Sequence, residues 1–296
     1  MKKFILSILS LLIFSNLMLG FEIKDNLIID HQGNSVEKKA YKKVIITDPA
    51  FVEIFYLING EENVVAIGKT MQSKIWPEDK TENLPSIGTI TRPNLEQIVA
   101  MEPDLVILNG MTANIADNLK TSKIPVLISK ANSIDDILKN IIAAGEITNK
   151  VVNANKLHDE SKEKLIKLEE TSKNRPKIKG AVLFSASPMR SFNSTTLPGQ
   201  VLNLLGVENL ADNVKGEQPI LSNEFIIMEN PDFIAGAMSF NSPDEIKNAN
   251  PALAEIKAFK NNNIFIVDSS KILRGSPRIF EAMEEFSVEL SKLKLD

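Results

Sequence analysis

Cysteine is absent from the 296 residues, which excludes disulfides, thiolate metal sites, iron–sulfur clusters and thiol nucleophiles. Histidine is nearly absent. His31 and His158 are the only two, too few for a histidine-rich metal centre, and no metal site is expected. A basic surface is missing as well: 34 basic residues face 38 acidic ones, for a formal net charge of −4, which argues against a nucleic-acid partner. Catalytic signatures are equally scarce. There is no Gly-x-Ser-x-Gly elbow, no His-Glu-x-x-His, no phosphate loop and no Gly-x-Gly-x-x-Gly behind a strand.

What is present starts at the N-terminus. Met1-Lys2-Lys3 precedes an apolar run from Phe4 to Phe14, and Gly20 closes a second short run, Leu17-Met18-Leu19. A cationic start, an apolar stretch and a small residue are the pattern of a secretory signal, expected over residues 1–20. Residues 4 to 21 also approach spanning length, so a retained anchor is the alternative, and export follows under either. No cysteine follows the apolar run, so the expected product is a non-lipidated chain free in a periplasm.

The length is about twice that of a typical domain, and 43% hydrophobic residues supply material for two cores. Short apolar runs ending in turn residues predict strands at 44–47, 64–67, 105–108 and 126–128, and again at 181–184, 233–235 and 264–267. Helical patterns, such as Asn94–Met101 and Ser133–Ala144, alternate with them, so the fold class is α/β with buried parallel sheets. The halves also repeat one another. Gly60-Glu61-Glu62-Asn63-Val64 matches Gly206-Val207-Glu208-Asn209-Leu210, and Glu102-Pro103-Asp104-Leu105-Val106 matches Asn230-Pro231-Asp232-Phe233-Ile234. The first half carries extra chain, Lys69 to Pro85, which holds Trp76. Between the halves, Thr148 to Lys173 has no Gly or Pro and shows a narrow apolar stripe, which predicts one long helix lying across two lobes. His158 sits on that stripe as a packing or surface residue. The expected organisation is therefore a signal (1–20), a hairpin extension (21–42), a first lobe (43–147), a connecting helix (148–174) and a second lobe (175–296).

Five arginines stand against 29 lysines, and Arg92, Arg190 and Arg274 fall just after predicted strands. Ligands of open α/β sheets sit beyond the carboxyl ends of the strands, and a guanidinium fork suits oxyanion groups. Each arginine has an equally open alternative in a local ion pair or helix cap; Arg278 reads as structural. Met71, Met189, Met238 and Phe240 lie in predicted post-strand loops as a candidate apolar wall, with core packing as the alternative, and Trp76 is the aromatic candidate. Glu96 and Glu224 occupy the same place in the two repeats, as second residues of helices capped by Asn94 and Ser222. An acidic residue there is stabilised by the helix dipole, and two such groups also mark contact points for a symmetric basic partner.

Several runs carry a family resemblance: Ser86-Ile87-Gly88 with Asn94 to Ile107, Leu197 to Gly206, Leu221 to Glu224, and Arg274-Gly275-Ser276-Pro277-Arg278. Taken in order from Lys43 onward, the chain resembles the class III periplasmic substrate-binding proteins of ABC importers for ferric siderophores, haem and cobalamin. The resemblance implies two Rossmann-like lobes joined by one long α-helix, a ligand cleft between them, a monomer, and no resident cofactor. It implies that Glu96 and Glu224 dock on the two subunits of an ABC permease. Tyr41 and Tyr56 fall outside predicted cleft loops, against haem, and Gly88 to Arg92 lacks aromatics, against cobalamin. The arginines thus tip the expected cargo toward a ferric siderophore. A haem- or cobalamin-binding receptor of the same family is the first alternative, and an exported α/β hydrolase using carboxylates that meet only in the fold is the more distant one.

Overall fold

The computed structural model describes residues 20–71 and 73–295, so the signal expected over 1–20 lies outside the described residues apart from Gly20. Among the described residues no helix is long and apolar enough to cross a membrane.

Three short strands lead: β1 Glu22–Lys24, β2 Leu27–Ile29 and β3 Ser35–Glu37, an antiparallel meander where the sequence predicts a hairpin. The extra turn forms at Asp25, which takes a left-handed φ of 53° that short polar side chains tolerate. The second turn is built on Asp30. One oxygen of its buried carboxylate accepts the Gln32 and Asn34 N–H groups at 2.8 and 2.9 Å, and the other accepts the Ile128 N–H at 2.7 Å. That last bond pins the meander to the first lobe, whose core also takes in Ile28 and Val36.

The first lobe contains β4 Val44–Ile46, β5 Val64–Lys69, β6 Ser86–Thr89, β7 Arg92–Pro93, β8 Leu105–Leu108 and β9 Val126–Ile128. Their order is β7-β6-β5-β4-β8-β9, parallel except for β7. The second lobe contains β10 Ile178–Ala186, β11 Met189–Ser191, β12 Val207–Asn209, β13 Phe233–Gly236 and β14 Ile264–Ile266. Here β11 runs antiparallel to the end of β10, while β12, β13 and β14 complete a parallel set. Every residue of β4, β8 and β13 is buried, as strands covered on both faces require.

Without β6, β7 and β11 the two sheets share one order, β5-β4-β8-β9 and β12-β10-β13-β14. The repeated sequence motifs have a shared physical reason. Glu102 and Asn230 adopt left-handed φ of 48° and 46° as the preceding helices, Leu95–Ala100 and Asn223–Glu229, come to an end, and the following proline bars further helix. Asp104 then donates its N–H to Lys43 O at 3.1 Å while its carboxylate accepts the Lys43 N–H at 2.8 Å. Asp232 does the same with Lys179, at 2.8 and 2.9 Å. In each lobe one aspartate ties the start of the third shared strand to the start of the first.

Two helices join the lobes. Ile134–Thr148 places Ile134 and Ile137 in the second lobe's core and Ile141, Ala144 and Ile147 in the first lobe's. After Asn149, at φ 58°, the long helix Val151–Lys173 begins, about 35 Å at 1.5 Å per residue. It sets Ala154 in the first core and Leu168 in the second, as its narrow stripe predicts. The helices meet at Gly145, where a Cβ would lie 2.4 Å from that of Ala154, so only glycine permits the approach. His158 lies at the surface, 3.0 Å from Asp159.

Replacing Asp104 or Asp232 with alanine removes a charge-assisted bond at equivalent places. Each variant is expected to lose about 1.5–3 kcal/mol of unfolding free energy, read by urea denaturation.

Candidate functional site

Open α/β sheets present ligands beyond the carboxyl ends of their strands. In the first lobe that rim is a network of buried polar groups. Asn109, following β8, donates through Nδ2 to Thr47 O at 2.9 Å and Ile90 O at 2.8 Å, while its Oδ1 accepts the Thr112 N–H at 3.1 Å. The Asn109 N–H in turn reaches Thr47 Oγ1 at 2.9 Å. Asp48 caps the helix Pro49–Leu57 by accepting the Ala50 N–H at 2.9 Å, and the Ser129 hydroxyl donates to its carboxylate. Burial pushes the Asp48 carboxyl up from its ordinary range, opposed by these bonds. Four post-strand loops, those after β4, β6, β8 and β9, are thereby fixed to one another.

Arg92 stands on this rim. Its N–H donates to Thr89 Oγ1 at 3.0 Å, and its side chain is exposed. Arg190 is half-buried on β11 in the second lobe, where Nη1 donates to Gln218 O at 3.3 Å, its one side-chain bond among the described residues. Gln218 belongs to an open hollow of about 410 Å³ at the joint of the lobes. Ala131 and Asn132, leaving β9, wall one side; Phe192, Thr195, Thr196, Gln218, Met238 and Leu273 wall the other, with Glu217 also bordering it. Met238 is half-exposed just beyond β13, at a left-handed φ of 53°, with its N–H donating to Ser269 Oγ at 2.7 Å.

Other expected ligand residues sit elsewhere. Arg274 is drawn into an ion pair with Glu53 at 2.9 Å and is 8% exposed, so its guanidinium is occupied inside the protein rather than offered to a cargo. Met189 and Phe240 are buried in the second lobe's core: Met189 turns inward from β11 and Phe240 from the loop after β13. Met71 is 86% exposed and borders a different hollow of about 360 Å³, formed within the first lobe by residues between Ile67 and Glu82. Lys69 of that hollow is occupied by Thr81 O at 2.7 Å and Glu82 O at 3.0 Å. Trp76 is half-buried under the Arg278 guanidinium, 5.4 Å from its ring centroid.

Neither tyrosine reaches the cleft. The Tyr41 hydroxyl donates to Glu37 O at 2.8 Å, and burial pushes its pKa up to about 12; Tyr56 lies beneath Lys80. Among the described residues no group of three or more His, Cys, Asp or Glu could hold a metal ion. Glu96 and Glu224 are exposed, each second in its helix behind the expected caps Asn94 and Ser222.

Sequence reasoning missed Asn132, Phe192, Thr195, Thr196 and Gln218. A usable signal was the hydroxyl-rich run Ser191-Phe192-Asn193-Ser194-Thr195-Thr196 between a strand and the helix Leu197–Leu204. Glu53 was missed too, although a lone carboxylate in Ala50-Phe51-Val52-Glu53-Ile54-Phe55 calls for a buried partner.

Comparison with known proteins yields a consistent set. The family model described as periplasmic binding protein matches residues 44–270. The vitamin B12-binding protein of Vibrio parahaemolyticus is 25% identical over 259 residues, covering 86% of this chain and 90% of that one. The ferric-anguibactin-binding protein FatB of Vibrio anguillarum is 31% identical over 211 residues, 64% of this chain and 65% of its own. Among solved structures, a possible iron-binding periplasmic solute-binding protein of Staphylococcus epidermidis is 25% identical with a TM-score of 0.74, covering 86% of this chain and 100% of that one. The haem-binding protein HutB of Vibrio cholerae, 22% identical, shares the fold with a TM-score of 0.74 over 84% of this chain and 98% of its own.

Replacing Asn109 with alanine strands Thr47 O and Ile90 O and frees three rim loops. A loss of about 1–3 kcal/mol is expected for such unsatisfied groups, measured by chemical denaturation.

Proposed function

This chain belongs to the periplasmic binding protein family and is the substrate-binding component of an ABC importer, and on that premise we propose that its cargo is an iron chelate of the ferric siderophore type. The observation that supports this reading is Arg190, which is bonded to Gln218, a residue that lines the hollow between the lobes. Its guanidinium spends one 3.3 Å bond on Gln218 O and keeps further donors for an oxygen-rich ligand. Arg92 adds a second cation on the first lobe's rim. Asn132, Thr195 and Thr196 supply neutral polar groups, while Phe192, Met238 and Leu273 supply apolar surface. In this reading the chain hands its cargo on unaltered, as a monomer exported to the periplasm.

Delivery uses the duplicated surface. Glu96 and Glu224, exposed at equivalent places in the two lobes, meet basic pockets on the two subunits of the ABC permease dimer. Their exposure leaves them hydrated until the partner arrives.

One observation favours a second reading. With Arg274 withdrawn and Glu217 beside Gln218, the hollow is closer to neutral than three arginines would make it. A cobalamin-like cargo with neutral amide groups suits such a lining, and several relatives are named as vitamin B12-binding proteins.

Titration of the purified chain with ferric catecholate, ferric hydroxamate, haem and cobalamin tests the assignment. A ferric siderophore is expected to bind one to one, and Arg190→Ala to weaken it by about 1.5–3 kcal/mol, the range for a hydrogen bond to a charged group. Tight cobalamin binding untouched by Arg190→Ala would instead select the second reading. A Glu96→Ala, Glu224→Ala double variant is expected to bind cargo normally and to lose uptake in cells; normal uptake would remove the docking assignment.

A further inference from the structure

Glu53 lies on the first-lobe helix Pro49–Leu57 and is wholly buried, yet its ionic partners all come from the second lobe. Oε1 accepts from Arg274 Nη1 at 2.9 Å and lies 3.6 Å from Arg278 Nη1; Oε2 accepts from the Ser276 hydroxyl at 2.6 Å. These three residues occupy the short segment between the helices Ser269–Ile272 and Ile279–Ser291. The same arginines then reach back into the first lobe. Arg274 donates to Lys74 O at 2.8 Å and to Ser73 Oγ at 2.7 Å, and Arg278 covers the Trp76 ring.

The segment also touches the wall of the interlobe hollow. Gly275 has a φ of 67°, and a Cβ there would lie 2.7 Å from the Cβ of Ala131. One buried carboxylate therefore sits behind both hollows: Ala131 borders the interlobe one, and Ser73 and Lys74 border the first-lobe one.

We propose that Glu53 is a positioning residue that fixes the relative placement of the two lobes and, through Arg274 and Arg278, the placement of the first-lobe stretch Ser73–Trp76. The charge arrangement requires this coupling. Rotating the lobes apart would withdraw two guanidiniums and a hydroxyl from a carboxylate that is wholly buried in this arrangement, a costly separation. The lobes are thus held as one unit, and the 73–76 stretch keeps its place only while the second lobe keeps its own. The inference rests on the binding reading only in taking the joint of the lobes as the cargo site, and its test contains no cargo.

The chain's lack of cysteine makes the test direct. Asn118→Cys and Asn248→Cys, both at exposed positions and one per lobe, accept spin labels for an interlobe distance measurement. The doubly labelled protein is expected to give one narrow distance. Adding Glu53→Gln, which keeps shape and loses charge, is expected to broaden that distribution and shift Trp76 emission to longer wavelength. Arg274→Lys, which keeps the charge and loses the fork, is expected to broaden it as well, and it carries the test alone if Glu53→Gln does not fold. A narrow distribution with unshifted Trp76 emission in the variants, even at a lowered melting temperature, would overturn the proposal and leave Glu53 a purely structural group.

Discussion

The buried carboxylate of Glu53 is the constraint on which the joint of this molecule depends. Desolvating a carboxylate costs several kcal/mol, and burial accordingly pushes the Glu53 carboxyl up against the opposing pull of Ser276, Arg274 and Arg278. Such a group persists in a fold only where its partners are held in place. Here they are held at both ends. The helix that carries Glu53 starts from Asp48, whose carboxylate is bonded to Ser129, and adjoins the Thr47–Asn109–Thr112 network. The arginines sit between two helices of the second lobe, one of which packs on the long connecting helix. The rim of the first sheet and the clamp between the lobes are thus successive links in one chain of contacts.

Division of labour follows from the duplication. The shared four-strand order, with Asp104 and Asp232 at equivalent strand starts, builds the fold, and the shared helix starts at Glu96 and Glu224 present equivalent carboxylates. What the lobes do not share carries the proposed cargo chemistry. Arg92 lies on β7 and Arg190 on β11, antiparallel strands that stand outside the common order. Trp76 lies in the extra stretch before β6. Each lobe adds its own cation to a common frame, which allows the proposed cargo surface to differ while the frame and the proposed docking surface stay alike.

Much of this architecture was legible in the sequence. Short apolar runs ending in turn residues locate β4, β5, β8, β9, β10, β13 and β14 within a few residues, because strands buried on both faces must be apolar throughout. The Pro-Asp repeats mark strand starts because their left-handed residue, proline and aspartate are each required there. The site was less legible. Arg274 follows β14 only after the helix Ser269–Ile272, and Glu53, its partner, stands 221 positions away, so only the fold brings them together. Met189 and Phe240 looked like loop residues because spacing does not tell inward from outward at a strand end. The three-strand meander escaped because Asp25-Asn26 is a two-residue turn inside an otherwise extended pattern.

The joint of the lobes, rather than the hollow inside the first lobe, is the proposed seat of an intact iron chelate. Anomalous X-ray scattering at the iron edge, from crystals of the protein saturated with a ferric siderophore, measures this directly. A single iron peak is expected in the hollow bordered by Asn132, Gln218 and Met238. A peak among Lys69, Met71 and Ile75, or no ordered iron at full saturation, would contradict it.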